Sequence, residues 1–254
     1  MIINTTAIYV LWLREMKRFL RAKSRVIGTL AIPLFFLAFL GLGFGNMNLP
    51  GMANVDYIYF LVPGIIGMTM LFTSMFAGIS VLWDREFGFL KEIMVAPVNR
   101  ISIVIGRIVG GATTSIFQGI LILGISILMG FKISRISAFL VSVIFMLLIS
   151  FTFIGLGLIF ASKMKDMQGF SLIMNFVIFP LFFLSGALFP LENLPVWIRY
   201  LSYLDPLTYG VDGLRGILIG VSSFSVLFNF TVLIGFSAVM IFLGAYFFEK
   251  SESV

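Results

Sequence analysis

The sequence contains no cysteine and no histidine. The first absence excludes disulfides and thiolate nucleophiles, and the second removes imidazole as a general base and as a metal ligand. Charge is also scarce. Asp, Glu, Lys and Arg make up 11% of 254 residues, where a soluble domain carries about a quarter. Hydrophobic residues reach 60% and mean hydropathy is +1.13. No stretch is polar and long enough for a separate soluble domain. The chain also lacks a Gly-x-x-x-x-Gly-Lys-Ser/Thr loop, so it cannot cradle nucleotide phosphates in that manner.

What remains is apolar sequence in long runs. Six of them, 26–45, 57–82, 101–130, 136–161, 169–190 and 226–248, come near or exceed the roughly 20 residues that a bilayer-crossing helix needs. Backbone groups cannot face lipid unpaired. The expected fold is therefore all-α, a polytopic membrane protein with six transmembrane helices in a single domain over residues 1–254. The first run has no small-residue cleavage site after it and reads as a retained span. The third is over-long, which places its first turns, through Arg107, at the cytoplasmic interface.

The net charge of +6 fits basic cytoplasmic loops better than nucleic acid. With the N-terminus inside, only Lys132, Arg135, Arg199 and Arg215 fall outside the cell, so both termini are expected in the cytoplasm of a cell-membrane protein. Within residues 1–25, Tyr9, Trp12, Leu13, Met16, Phe19 and Leu20 project to one side of a helix, and Arg14, Lys17, Arg18 and Arg21 to the other. That pattern suits an amphipathic helix at the lipid interface, as an anchor or as a coupling element. Residues 191–225 carry Pro195, Pro206 and several glycines between apolar pieces too short to span. They read as short external re-entrant helices.

One charged segment, 83–100, is wedged between two apolar runs on the cytoplasmic side. On a helix Trp83, Phe87, Leu90 and Met94 share a face that would rest on the membrane or the bundle, while Asp84, Arg85, Lys91 and Glu92 share the face presented to a partner. Pro97 stops the helix and Arg100 anchors the next span. Glu86 projects among apolar neighbours, so it needs either an arginine such as Arg14 or Arg18, or water at the rim.

Carboxylates inside spans would mark an ion-coupled carrier, and the cores contain none. Gln118 and Asn175 are polar residues within spans that could line a substrate path, with interhelical hydrogen bonding the plainer reading. Asp205 and Asp212 sit in a Pro/Gly-interrupted loop and do not form a credible aspartyl pair.

Several segments, in order, resemble the ABC type-2 permeases, the membrane subunits of ABC exporters, and most closely their daunorubicin-resistance-like branch. Residues 84–88 and 96–98 match the acidic-Arg-Glu-Phe-Gly element and the Ala-Pro-Val that closes its helix. Leu61-Val62-Pro63-Gly64, the stretch 183–195, and Asp205-Pro206-Leu207-Thr208-Tyr209-Gly210 followed by Arg215 are similar to further family segments, although Asn is usual where Asp205 stands.

The resemblance implies that Asp84, Arg85, Glu86, Phe87, Gly88, Leu90, Lys91, Glu92, Pro97 and Arg100 belong to a coupling helix seated in a cytoplasmic ATPase. It implies that Arg14 and Arg18 on the interfacial helix contact that coupling helix. Two ATPase copies would pair with two permeases, as a homodimer or a similar heterodimer, and move a drug, lipid or glycan outward. ATP and magnesium would belong to the ATPase, with no cofactor on this chain, which would not itself be an enzyme. A secondary transporter or channel-like protein working without an ATPase is the alternative.

Overall fold

The structure is a computed structural model that describes residues 4–44, 56–88, 98–133, 135–164 and 166–251. Among the described residues it is wholly helical apart from turns and one isolated bridge residue. Six helical segments are long and apolar enough to cross a membrane: Val26–Gly43, Tyr57–Glu86, Ile101–Leu128, Ile136–Lys163, Met167–Leu184 and Val226–Lys250.

Helix α1 spans Thr5–Arg21 and starts where the Asn4 side chain accepts the Ala7 N–H. The chain breaks at Ala22 and resumes as α2, Lys23–Gly43. The second span is two helices, α3 (Tyr57–Ala77) and α4 (Ile79–Glu86), separated at Gly78. Helix α5, Arg100–Leu128, is capped by Asn99, whose side chain accepts the Ile101 N–H. Helices α6 (Ile136–Lys163) and α7 (Met167–Leu184) follow, and Asp166 caps α7 by accepting the Gly169 N–H. After a 3-10 turn at Leu191–Asn193 come α8 (Val196–Ser202) and α9 (Pro206–Ile219), with Pro206 in the first turn and the left-handed Gly220 closing it. Helix α10, Val226–Ser251, ends the described chain.

Two spans differ from their expected limits by more than two residues. The second extends past residue 82, because α4 continues through the charged residues to Glu86. The fifth ends at Leu184 rather than 190, because Gly186 adopts φ 72° and turns the backbone inward. That turn lays the Ala187 carbonyl against Gly64, where a Cβ would stand 2.2 Å from the oxygen. No side chain larger than hydrogen fits at Gly64.

Helix α3 is the centre of the bundle, buried along most of its length and packed by α2, α5, α6, α7 and α9. Helix α10 lies along α6. The short α9 plugs the end of the bundle where α3 begins, with Pro206, Leu207, Thr208, Tyr209, Val211, Leu214 and Leu218 all buried. Two of its charged side chains find partners in place. Arg215 stacks over the Phe60 ring at 3.6 Å and donates to the Gly186 carbonyl at 3.1 Å. Burial lowers Arg215 to about 10, which leaves it charged at neutral pH. Asp212 accepts from the Ser223 and Phe224 N–H groups at 2.8 and 3.0 Å and from Asn229 Nδ2 at 2.8 Å. These contacts fold residues 220–225 back onto α9 and fix where α10 begins.

Candidate functional site

The strongest concentration of charge lies at the end of the bundle where α1, α4 and α5 converge. Helix α4 packs its backbone on α6 and α7. Long arginine side chains bridge the space from α4 to α1 and α5. Asp84, on α4, receives all of them. Arg14 donates Nη1 to Oδ2 at 3.0 Å and a second bond from Nη2 to Oδ1. Arg18 Nη2 donates to Oδ1 at 3.1 Å, and Arg107 Nη2 to Oδ2 at 2.8 Å. Side-chain exposure is 2% at Asp84 and 4% at Arg107, against 27% and 28% at Arg14 and Arg18.

The cluster balances three guanidinium groups against two carboxylates, because Arg18 Nη1 also donates to Glu15 Oε1 at 3.2 Å. An ionised carboxylate this deep is tolerated only because every lone-pair direction meets a donor. Arg107 is further held by Ser80 Oγ at 3.5 Å and lies over the Phe248 ring at 5.8 Å. One carboxylate therefore ties α4 to α1 and α5, two helices that pack closely on each other but hardly on α4.

Helix α1 reaches the cluster by lying beside α5 in parallel register. Asn4 N–H donates to Ser102 Oγ, Leu11 covers Gly106, Glu15 covers Gly110, and Trp12 Nε1 donates to Thr113 Oγ1 at 3.1 Å. Phe19 meets Phe117 edge-on at 5.8 Å. Ser102, Gly106, Gly110 and Thr113 recur at helical spacing, so small side chains on one face of α5 let the two backbones approach. With that seating, Arg14 and Arg18, one turn apart, both point at Asp84.

The charged segment divides differently from its expected helical projection. Asp84, expected on the presented face, is buried, whereas Trp83 and Phe87, expected to rest on the membrane or the bundle, are 44% and 71% exposed and so are not seated on the bundle. The reason is electrostatic: three cations hold the carboxylate inside and rotate its neighbouring rings outward, where they contact each other. Arg14 and Arg18 pair with Asp84 and not with Glu86, which lies exposed. Arg85 turns across to α6 and donates to the Met164 carbonyl at 3.0 Å. Gly88 takes φ 73° as the helix ends. Leu90, Lys91, Glu92 and Pro97 lie outside the described residues, as does the Arg100 side chain.

Gln118 and Asn175 occupy different settings. Gln118 is buried and exchanges hydrogen bonds with Thr29 of α2. Asn175 is exposed on the outward face of α7, between Leu172 and Phe176, themselves 72% and 80% exposed. Glu15, Ser80 and Thr29 were not among the sequence-derived candidates. The signal that could have found the cluster is Arg107, a cation within an apolar run that has to be matched by an anion from another element.

A bundle of six apolar helices, plugged at one end by a short buried helix and tied at the other by a buried ion cluster, is a polytopic membrane protein. The chain belongs to the ABC-2 type transporter family, which it matches over residues 6–219. It is 29% identical to the inner membrane transport permease YadH of Escherichia coli K12 over 91% of this chain and 90% of that protein. It is 28% identical to the putative transport permease ycf38 of Cyanophora paradoxa, over 78% of this chain and 70% of that one. It is also 28% identical to the probable multidrug ABC transporter permease YbhR of Escherichia coli K12, over 69% of this chain and 48% of that protein. The chain is thus a membrane subunit of a transporter.

Proposed function

We propose that this chain is the permease subunit of an ATP-driven exporter, moved by a separate cytoplasmic ATPase through the segment 83–100. The observation that carries the reading is the Asp84 cluster. Force applied to this segment enters α4 and passes through the carboxylate to α1 and α5 together. A loop with no mechanical task has little need for so costly a charge arrangement at its root. Glu86 and Phe87 are exposed and adjoin Lys91 and Glu92 in sequence, so the docking surface runs from Glu86 onward and Asp84 acts behind it. Both termini face the cytoplasm, and ATP and magnesium are bound by the ATPase.

The functional unit is two permeases with two ATPases. The exposed face of α7, with Asn175 among Leu172, Phe176 and Phe183, supports a path between two copies, since an amide facing only acyl chains would lack hydrogen-bond partners. An amphipathic drug, lipid or glycan fits such a surface, and the multidrug name carried by YbhR points the same way.

Co-expression with ATPases encoded nearby, followed by purification and measurement of substrate-stimulated hydrolysis, tests the reading. A stable complex should form, and Glu86→Ala with Lys91→Ala should uncouple hydrolysis from transport. Transport by the chain alone in liposomes, driven by a proton gradient, would establish the carrier alternative instead.

A further inference from the structure

Three depressions meet at Arg18 and Ala22, where α1 gives way to α2. The first is a basin of about 640 Å³ whose polar wall is Arg14, Lys17, Arg18 and Arg21. The second is a groove of about 520 Å³ lined mostly by the apolar groups Ala22, Phe76, Ile79 and Trp83. Both lie within the roughly 300–1,000 Å³ of ordinary ligand sites. The third is a slot of about 60 Å³ running in toward Thr73, Thr114 and Gln118, room for a few waters and nothing larger.

We propose that this junction binds an anionic phospholipid of the inner leaflet, with its phosphate in the basic basin and an acyl chain in the groove. The argument rests on the two larger depressions sharing Arg18 and Ala22. A free anion would use the basin and leave the groove empty. A neutral amphiphile would use the groove and leave the exposed Lys17 and Arg21 of the basin without an anion. Only a molecule anionic at one end and apolar at the other fills both.

Depth favours the same occupant. Phe76, Ile79 and Trp83 belong to the second span and Thr29 to the first, so the groove opens on acyl chains and not on cytoplasm. Trp83, 44% exposed at the mouth, is a residue type that settles at the headgroup level. Arg14 and Arg18 are committed in part to Asp84, which leaves the exposed Lys17 and Arg21 to provide most of the attraction for the phosphate. The proposal concerns a resident lipid and does not depend on the transport reading.

The test uses the full chain, purified in detergent, stripped of lipid and titrated while adducts are counted by native mass spectrometry. Phosphatidylglycerol should bind at least about ten-fold more tightly than phosphatidylcholine of the same chains, and millimolar inorganic phosphate should not displace it. Lys17→Gln with Arg21→Gln, outside the Asp84 cluster, should weaken phosphatidylglycerol about ten-fold or more while phosphatidylcholine is unaffected. Ala22→Phe, which fills the junction and keeps every charge, should weaken it as well and decides the matter if the double variant does not fold. Equal binding of the two lipids would make the site a groove for any amphiphile and overturn the proposal. Displacement by inorganic phosphate would make it a free-anion site, and unchanged affinity in Ala22→Phe would place the lipid elsewhere; either result also overturns it.

Discussion

Asp84 and Arg107 form an ion pair that is almost wholly buried on both sides, with Oδ2 and Nη2 2.8 Å apart. The two residues come from different helices and the pair is extended by Arg14 and Arg18 from a third. Breaking a buried pair from one side strands the remaining charge, at a cost of about 3–5 kcal/mol. Asp84→Asn and Arg107→Met should therefore each lower the melting temperature sharply. Arg14→Gln or Arg18→Gln, at positions more than a quarter exposed, should cost on the order of 1 kcal/mol. Thermal unfolding in one detergent ranks the four variants. Equal losses at all positions would mean that burial does not set the strength of the cluster.

The break between α3 and α4 predicts a second contrast. A Cβ on Gly78 would stand 2.6 Å from the Gly157 carbonyl oxygen, and one on Gly157 would stand 2.6 Å from that of Met75. Both obstacles are backbone, which cannot rotate away. Gly78→Ala and Gly157→Ala should each destabilise by about 1–3 kcal/mol through forced separation of the second and fourth spans. Gly124→Ala and Gly235→Ala, where nothing lies within 4 Å, should be neutral or slightly stabilising. The same melting experiment reads both pairs.

The α9 plug gives a prediction in pH. Asp205 caps α9 by accepting the Leu207 N–H at 2.9 Å, while its Oδ2 is buried without a partner. Burial pushes its carboxyl well above the ordinary value of 3.8. The folded state therefore holds a proton that the unfolded state releases. The associated stability is full below about pH 3.8 and declines as pH rises toward the raised folded value. Asp205→Asn keeps the cap and removes the titration. Unfolding measured across acid to neutral pH should show a downward slope in the parent that flattens in the variant, with the variant more stable at neutral pH.

Much of this architecture is legible in the residues, for physical reasons that also explain what is not. A bilayer demands about 20 apolar residues per crossing, so the six spans stand out and only their ends move, as at Leu184, where Gly186 turns the chain. Short helices within 191–225 were legible because their apolar pieces are too short to cross, but the limits of α9, set by Pro206 and Gly220, were not. The orientation of α4 was not legible. Projection onto a helix sorts residues by hydropathy, which sends Asp84 outward and Trp83 inward. Three arginines from positions 14, 18 and 107 reverse that order, and no local pattern carries information about partners so distant in sequence. Glu15 pairs with Arg18 three residues on in the same helix, a spacing open to sequence reading, whereas its seat against Gly110 of α5 was not.

That approach supplies the last prediction. Helix α1 can place Arg14 and Arg18 on Asp84 only while its backbone lies against the glycines of α5. A Cβ on Gly106 would already stand 2.9 Å from the Leu11 Cβ. Gly106→Leu should lift α1 off α5, withdraw both arginines, and weaken the cluster without altering any charged residue. The absence of native cysteine makes this directly measurable. Cysteines replacing Phe19 and Phe117, whose ring centroids are 5.8 Å apart, should be joined readily by a bifunctional thiol reagent that spans the two lost rings in the parent, and several-fold more slowly in the Gly106→Leu background. In the assembled transporter, the same substitution should reduce ATPase coupling as Asp84→Asn does. Combining the two substitutions should add little, because both remove one link. Full additivity in coupling would show that α1 and Asp84 act on the spans separately, and the cluster would then be a local brace on α4 with no part in carrying force from the charged segment to α1.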